Sequence, residues 1–220
     1  MTANSDLQRL LTWLSPAFPV GTFAWSAGLE TAIATRLVHD RDTTQRWIIG
    51  NLEYGAMRTD AILLARAYRA AGDQAALAEL SDLALALTPA RERHDETTIT
   101  GASFASAAKA WPTPVLANLP RPCPYSIAVG AIAAGHHIDL GATLIAWLTA
   151  SVHGQVSVAV RLVPIGQSDG LAIMAELEPV IAASATLYGN VELDEIGSVA
   201  YAADIAQMAH ETLTTRIFRS

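Results

Sequence analysis

The sequence predicts an all-α protein, a helical bundle of about ten helices that forms a single domain over residues 1–220. Apolar residues recur at spacings of three and four along most of the chain, and alanine, a strong helix former, is abundant. No stretch of useful length alternates with the period of two that a half-buried strand shows, except residues 156–162. That segment ends a long helical pattern and is therefore predicted to be helix.

The first two helices are joined by an unusually apolar turn. Residues 6–14 have one apolar face and predict the first helix, while Leu29, Ile33 and Leu37 are spaced by four and predict the second. Prolines and a glycine fix the turn between them, yet it also carries four large apolar side chains: Phe18, Val20, Phe23 and Trp25. A loop of this kind is either packed under other helices or offered to a partner, and physics alone leaves both open.

The rest of the chain reads as helices separated by glycine and proline. A long helical pattern is expected to break near Gly55, and five prolines between Pro112 and Pro124 require an extended crossover. Asp73 and Asp139 are predicted N-caps. The helical segments predicted after the second helix are residues 43–71, 73–87, 90–110, 125–135, 140–162, a helix that follows the loop at 164–170 and continues to about 187, and 194–214.

Charge and composition exclude several classes of protein. A formal net charge of −7 argues against a nucleic-acid backbone as partner. The longest apolar stretch is interrupted by His136, His137 and Asp139, which argues against a membrane span. The single cysteine, Cys123, suits a reducing compartment, and the N-terminus lacks the pattern of a signal peptide, so a cytoplasmic protein is expected.

The familiar catalytic motifs are missing from the sequence. Lys109 is the only lysine and follows an alanine, so no phosphate-binding loop with its G-K-[ST] ending exists. There is no H-E-x-x-H, no G-x-S-x-G and no glutamate three residues before a histidine. His136 and His137 favour a pair at a helix end over a metal site, and Cys123 favours a passive thiol. We therefore predict no catalytic residue, no cofactor and no metal site.

Several polar residues remain as candidates for contact with a partner. Glu30 is either solvated or functional, and the mixed-sign run at 91–96 is either a solvated helical face or an interface patch. Gln167 could close its own loop by bonding to the backbone. In the closing residues, Arg216, Phe218 and Arg219 are of the types that anchor interfaces. Because Phe218 is close to the chain end, we expect it not to be buried within its own chain, and we expect removal of residues 216–220 to leave the fold intact.

Four blocks of the sequence resemble the urease accessory protein UreF family. The first matches the family pattern L-x-x-L-x-S-P-A-x-P-x-G-x-F-x-x-S-x-G-L-E with Ser15, Pro16, Ala17, Pro19, Gly21, Phe23, Ser26, Gly28, Leu29 and Glu30. The second is the helix that begins at Arg91 and Glu92 and continues through Glu96 to Gly101. The third is the stretch Arg161, Leu162, Val163, Pro164, Ile165, Gly166 and Gln167. The fourth is His210, Glu211 and Thr212 together with Arg216, Ile217, Phe218, Arg219 and Ser220.

The resemblance implies an all-α homodimer that scaffolds urease maturation without being an enzyme. In that family the protein joins UreD (also called UreH) and the GTPase UreG, and the complex delivers nickel to the urease apoprotein. An alternative is a GTPase-activating regulator of UreG, with Arg91, Arg93, Arg216 or Arg219 inserted into its active site. The sequence departs from the family pattern at Leu171, where many members carry glutamine, and at Ile217, which replaces leucine. The candidate partner-binding residues are Glu30, Arg91, Glu92, Gly166, Gln167, His210, Arg216, Phe218, Arg219 and Ser220.

Overall fold

The computed structural model describes residues 3–220, and within them the all-α prediction is confirmed. These residues contain ten α-helices and no β-strand. The helices are α1 Ala3–Trp13, α2 Leu29–Ala34, α3 Arg41–Tyr54, α4 Ala56–Arg69, α5 Gln74–Ala86, α6 Arg91–Ala107, α7 Tyr125–Gly135, α8 Leu140–Leu162, α9 Gln167–Tyr188 and α10 Tyr201–His210.

The core is built around α4 and α7, which pack against each other along most of their length. Gly130 allows this close approach, because a Cβ atom there would collide with the Leu64 carbonyl oxygen. α8, α9 and α6 pack around this pair. Trp13 of α1 inserts into the same core, with its ring edge-on to Phe104 and Trp111 at centroid distances of 6.0 and 5.8 Å.

Most helix limits agree with the sequence pattern. The long helical segment breaks at Gly55, residues 125–135 and 140–162 are helices as predicted, and residues 156–162 are helical. Asp73 accepts hydrogen bonds from the amides of Ala75 and Ala76, and Asp139 accepts one from the amide of Ala142 at 2.8 Å. Both aspartates therefore act as the expected N-caps.

Two helices are shorter than the pattern predicts. α2 ends at Ala34 because Arg36 has a left-handed conformation with φ 62°, so Leu37 lies beyond the helix and is exposed. The last helix covers only Tyr201–His210 rather than residues 194–214. A short 3-10 turn, Leu193–Glu195, and Gly197 at φ 158° precede it. Apolar spacing continues through these irregular segments, which is why periodicity alone extended both helices too far.

The proline-rich crossover lies against α6. Gly101 faces it so closely that a Cβ atom would collide with the Cys123 carbonyl oxygen, which explains a glycine at this position of the second block. Cys123 itself is buried, and burial raises the pKa of its thiol to about 12. A thiol in this environment is protonated and unreactive, in line with the passive role that the sequence favours.

The adjacent histidines lie at the end of α7, as the sequence favours. His136 is buried, and one of its ring nitrogens lies 3.1 Å from the Trp111 carbonyl oxygen, while the neighbouring His137 is exposed. Burial lowers the pKa of His136, which favours the neutral imidazole. The described residues contain no group of three or more His, Cys, Asp and Glu side chains arranged to hold a metal ion.

By length and composition only, α8 and α9 could cross a membrane. Half of the most apolar window of α8 is buried inside the helical bundle. Core helices of a bundle are apolar for the same reason, so one or two such helices are weak evidence for a membrane protein.

Candidate functional site

The chain end is docked onto the turn before α2. Ala27 and Gly28 adopt left-handed conformations with φ 51° and 81°, and together they form a sharp turn. The turn presents backbone groups to residues 216–220, which we call the tail. The Ser26 amide donates to the Ser220 main-chain oxygen at 2.7 Å, and the Ala27 amide donates to the Ser220 hydroxyl at 3.2 Å. Ser220, only 1% exposed, is therefore fixed to the N-terminal turn.

Glu30 holds the middle of the tail. One carboxylate oxygen accepts a hydrogen bond from the Ile217 amide at 2.7 Å, and the other accepts one from the Phe218 amide at 3.0 Å. Burial alone would raise the pKa of this carboxyl, but the hydrogen bonds from His210 and from the two amides outweigh it and lower the pKa. Glu30 is thus a buried, ionised acceptor, and the interpretation of a solvated surface residue is wrong.

His210 lies between two carboxylates. Its Nε2 atom is 2.9 Å from an oxygen of Glu30, and its Nδ1 atom is 2.6 Å from an oxygen of Glu92. The other Glu92 oxygen accepts a hydrogen bond from the Arg216 guanidinium at 2.7 Å. The chain of contacts therefore links α2, α10, α6 and the tail. The ring of His210 is completely buried, so this residue cannot itself touch a partner.

Phe218 is buried in its own chain, contrary to the expectation from its place in the sequence. It is 6% exposed and belongs to a small apolar cluster with Leu29 of α2 and with Val158 and Val163 near the end of α8. The Arg161 guanidinium lies 5.8 Å from the ring centroid. Burial of a phenylalanine ring stabilises a fold by about 1.5–3 kcal/mol, so the tail is a structural element. The premise that its removal takes away no core contact is wrong, and the effect of the truncation on folding stays a prediction.

The outer side of the tail is exposed. Ile217 has 71% of its surface accessible, and Phe23, in the loop beside it, has 63%. The Arg219 guanidinium stacks over Trp25 at 4.6 Å from the ring centroid. A cleft of about 320 Å³ opens at this place. The residues lining it are Trp25, Arg91, Glu92, Asp95, Glu211, Arg216 and Arg219.

The apolar loop before α2 is partly packed under other helices and partly exposed, so each of the two possibilities left open by the sequence applies to part of it. Phe18, Val20 and Trp25 are buried, whereas Phe23 is exposed. The buried rings hold the loop on the core, and Phe18 lies 5.7 Å from the Phe104 ring. Of these four large apolar side chains, only Phe23 is available to a partner in the described structure.

Of the remaining candidate residues, Arg91 lies in the cleft, whereas Gly166 and Gln167 lie at the N-terminal end of α9. Arg91 is exposed in the cleft, and its amide donates to the Glu211 carboxylate at 3.0 Å. α9 begins at Gln167, with Gly166 directly before it, and neither residue forms a hydrogen bond to the tail within residues 3–220. The loop is closed by Asp169, which accepts from the Gly166 amide at 3.0 Å, so the idea that Gln167 closes it is wrong.

The run at residues 91–96 is not a simple solvated face. Arg93 is largely buried and pairs with Asp60 of α4, and it also pairs with Glu96 at 2.9 Å. The two carboxylates keep this guanidinium charged. Arg93 is committed to the core, which removes it from the candidates for an inserted arginine.

Sequence reasoning missed three residues that support the tail. Ser26 and Arg161 lie within the blocks that resemble the family, so their position was a usable signal. Gln155 of α8 lies in none of those blocks, yet its side-chain amide donates to the Ser26 carbonyl oxygen at 2.8 Å. A lone glutamine inside an apolar helix gives no local sign of this contact.

The fold and the site define an all-α protein that pins its own C-terminal segment between an N-terminal turn and a buried Glu–His–Glu set. The profile of the UreF family matches residues 38–178, which is more than half of the chain. The urease accessory protein UreF of Rhizobium etli strain CIAT 652 is 46% identical over 223 residues, and the match covers all of both chains.

Two further relatives agree with this match. The urease accessory protein UreF of Agrobacterium fabrum is 46% identical over 223 residues and is also covered completely. That of Rhodopseudomonas palustris strain BisA53 is 45% identical over 221 residues, covering 97% of this chain and 93% of the relative. This chain belongs to the urease accessory protein UreF family.

Proposed function

We propose that this protein is a non-enzymatic scaffold of urease maturation that acts in the cytoplasm as a homodimer. In this proposal it joins UreD (UreH) and the GTPase UreG, and the complex delivers nickel to the urease apoprotein. The protein itself holds neither a nucleotide nor a resident metal. The proposal is supported by membership of an accessory-protein family and by the absence from the sequence of the usual catalytic motifs.

One observation carries the proposal. The four blocks that resemble the family are far apart in the sequence, yet each contributes to the tail site. The first block supplies Glu30, the second Glu92, the third Arg161 and Val163, and the fourth His210 and the tail itself. Together these residues fix the tail in place. The outer side of the tail, which carries Ile217 and Arg219, faces solvent beside the cleft. Arginine next to an exposed apolar side chain is typical of an interface anchor.

Capture of purified partners by the full chain tests the scaffold directly. We expect Ile217→Ala and Arg219→Ala to weaken capture of UreD or UreG about tenfold or more, because an interface anchor contributes at least that much. Leu171→Ala is the matched control, since Leu171 and Ile217 are both 71% exposed and Leu171 lies on α9, outside the tail site. Unchanged capture by both tail variants, or an equal loss in the control, would refute the proposed surface.

A regulatory role toward UreG is the second candidate, and Arg219 favours it. Within residues 3–220 its guanidinium stacks on Trp25 and has no carboxylate partner, whereas Arg216 is paired with Glu92. An arginine inserted into a GTPase site accelerates hydrolysis by a factor of about 10³–10⁵. GTP turnover by UreG should then rise with the wild-type chain and not with Arg219→Ala. Equal turnover with both chains would leave the scaffold role alone.

A further inference from the structure

The hydrogen-bond geometry around His210 determines which form of its ring fits the docked tail. Each ring nitrogen lies within hydrogen-bond distance of a carboxylate oxygen, Nε2 of Glu30 and Nδ1 of Glu92. An ionised carboxylate only accepts hydrogen bonds, and a neutral imidazole can donate at one nitrogen only. Both contacts are therefore satisfied together when the ring is an imidazolium that donates at both nitrogens.

The other partners of the two carboxylates are all hydrogen-bond donors, which favour ionised acceptors. Glu30 accepts from the amides of Ile217 and Phe218, and Glu92 accepts from the Arg216 guanidinium. With His210 doubly protonated, two carboxylates face two cations and the set carries no net charge. With a neutral ring, the same buried set carries one uncompensated negative charge, which is costly away from water.

The other charged groups near His210 do not supply the positive charge that its second ring proton provides. The cleft beside Glu92 also contains Arg91, Asp95, Glu211 and Arg219. Arg219 stacks on Trp25, and the amide of Arg91 bonds to Glu211, whereas the described residues place no further cation on Glu30. Among the described groups that contact Glu30, only His210 can supply a positive charge.

We propose that His210 is a positioning residue that holds the tail in place only in its doubly protonated form, so that docking of the tail is proton-dependent. Removal of the second proton leaves one ring nitrogen without a hydrogen to donate to the carboxylate oxygen that it faces, so one of the two contacts is lost. We therefore expect docking to weaken when a rise in pH removes that proton. This inference deepens the proposed function and rests on it, because the tail carries the proposed partner surface.

Hydrogen exchange of the Ile217 and Phe218 amides reports docking directly, since both donate to Glu30. Exchange is measured on the full chain from about pH 5 to about pH 8, the range in which histidines titrate, and is corrected for the intrinsic rates. We expect the protection factors of both amides to fall with rising pH. His210→Gln should lower them about tenfold at acidic pH, because a charge-assisted hydrogen bond is lost, and should abolish their dependence on pH.

His94→Gln is the matched control, because His94 is an exposed histidine on α6, the helix that carries Glu92. It should behave as wild type. Protection that is independent of pH in wild type, that keeps its pH dependence in His210→Gln, or that loses it in His94→Gln would overturn the proposal.

A direct measurement covers the case in which His210→Gln fails to fold. The ¹⁵N chemical shifts of His210 in the wild-type chain report the protonation of both ring nitrogens. Two protonated nitrogens while the tail is docked support the proposal, and a neutral ring in the docked state overturns it. Neither measurement includes a partner, so failure here is distinct from failure of the scaffold, which the capture experiment tests at a single pH.

Discussion

The carboxylate of Glu30 accepts a hydrogen bond from the backbone amide of Phe218, 188 residues further along the chain. This contact joins α2 to the tail and helps to hold the tail against the helices. It also separates two kinds of residue in the candidate set. Glu30, His210, Phe218 and Ser220 are buried and hold the tail, whereas Ile217 and Arg219 are exposed and available to a partner.

Replacing Glu30 should destabilise the fold, contrary to what a surface position would do. In Glu30→Gln, one oxygen becomes an NH₂ group that cannot accept from the Ile217 or Phe218 amide. We expect the free energy of unfolding to fall by about 2–3 kcal/mol. Urea denaturation measures it, with Glu178→Gln on the exposed side of α9 as the control. A change equal to that of the control would show that Glu30 is not a buried acceptor.

The stabilisation due to Glu30 should disappear in acid. Its pKa is lowered in the folded state, so the folded protein favours the ionised carboxylate more than the unfolded chain does. The contribution is complete above the ordinary pKa value of 4.5 and is lost as the pH falls through the lowered folded value. The difference in unfolding free energy between wild type and Glu30→Gln should therefore narrow below that pH. A constant difference across the acid range would contradict this.

Replacement of the two central tail residues, Ile217 and Phe218, should affect stability to very different extents. Phe218→Ala removes a ring that is 6% exposed and leaves a cavity beside Leu29, so it should cost about 3 kcal/mol of stability. Ile217→Ala alters a side chain that is 71% exposed and should change stability by less than about 0.5 kcal/mol. Thermal unfolding of the two variants checks the pair. Equal, small effects would restore the interpretation of a free tail.

Local sequence signals were sufficient for the helices but not for the site. Proline, glycine and capping aspartates mark chain breaks within a few residues, so the limits at Gly55 and Asp139 were predictable. The contact between Glu30 and His210 spans 180 residues, and no periodicity reports such a distance. The expectation that Phe218 is exposed is wrong because closeness to a chain end indicates exposure only on average. In this fold the Phe218 amide donates to Glu30 and its ring packs in the apolar cluster with Leu29.

Two glycines inside helices provide a closely matched test of the packing around α6. Gly101 of α6 faces the crossover, where a methyl group would collide with the Cys123 carbonyl oxygen, part of a backbone that cannot rotate away. Gly154 of α8 is exposed and has nothing within 4 Å of the same position.

Gly101→Ala should therefore destabilise the fold by about 2 kcal/mol or more through overpacking. Gly154→Ala should stabilise it by about 0.5–1 kcal/mol, because alanine has the higher helix propensity. Urea denaturation of both variants measures the contrast. Stabilisation by both substitutions would show that the crossover can move away from α6, since the propensity gain is the same in each helix and only the collision differs.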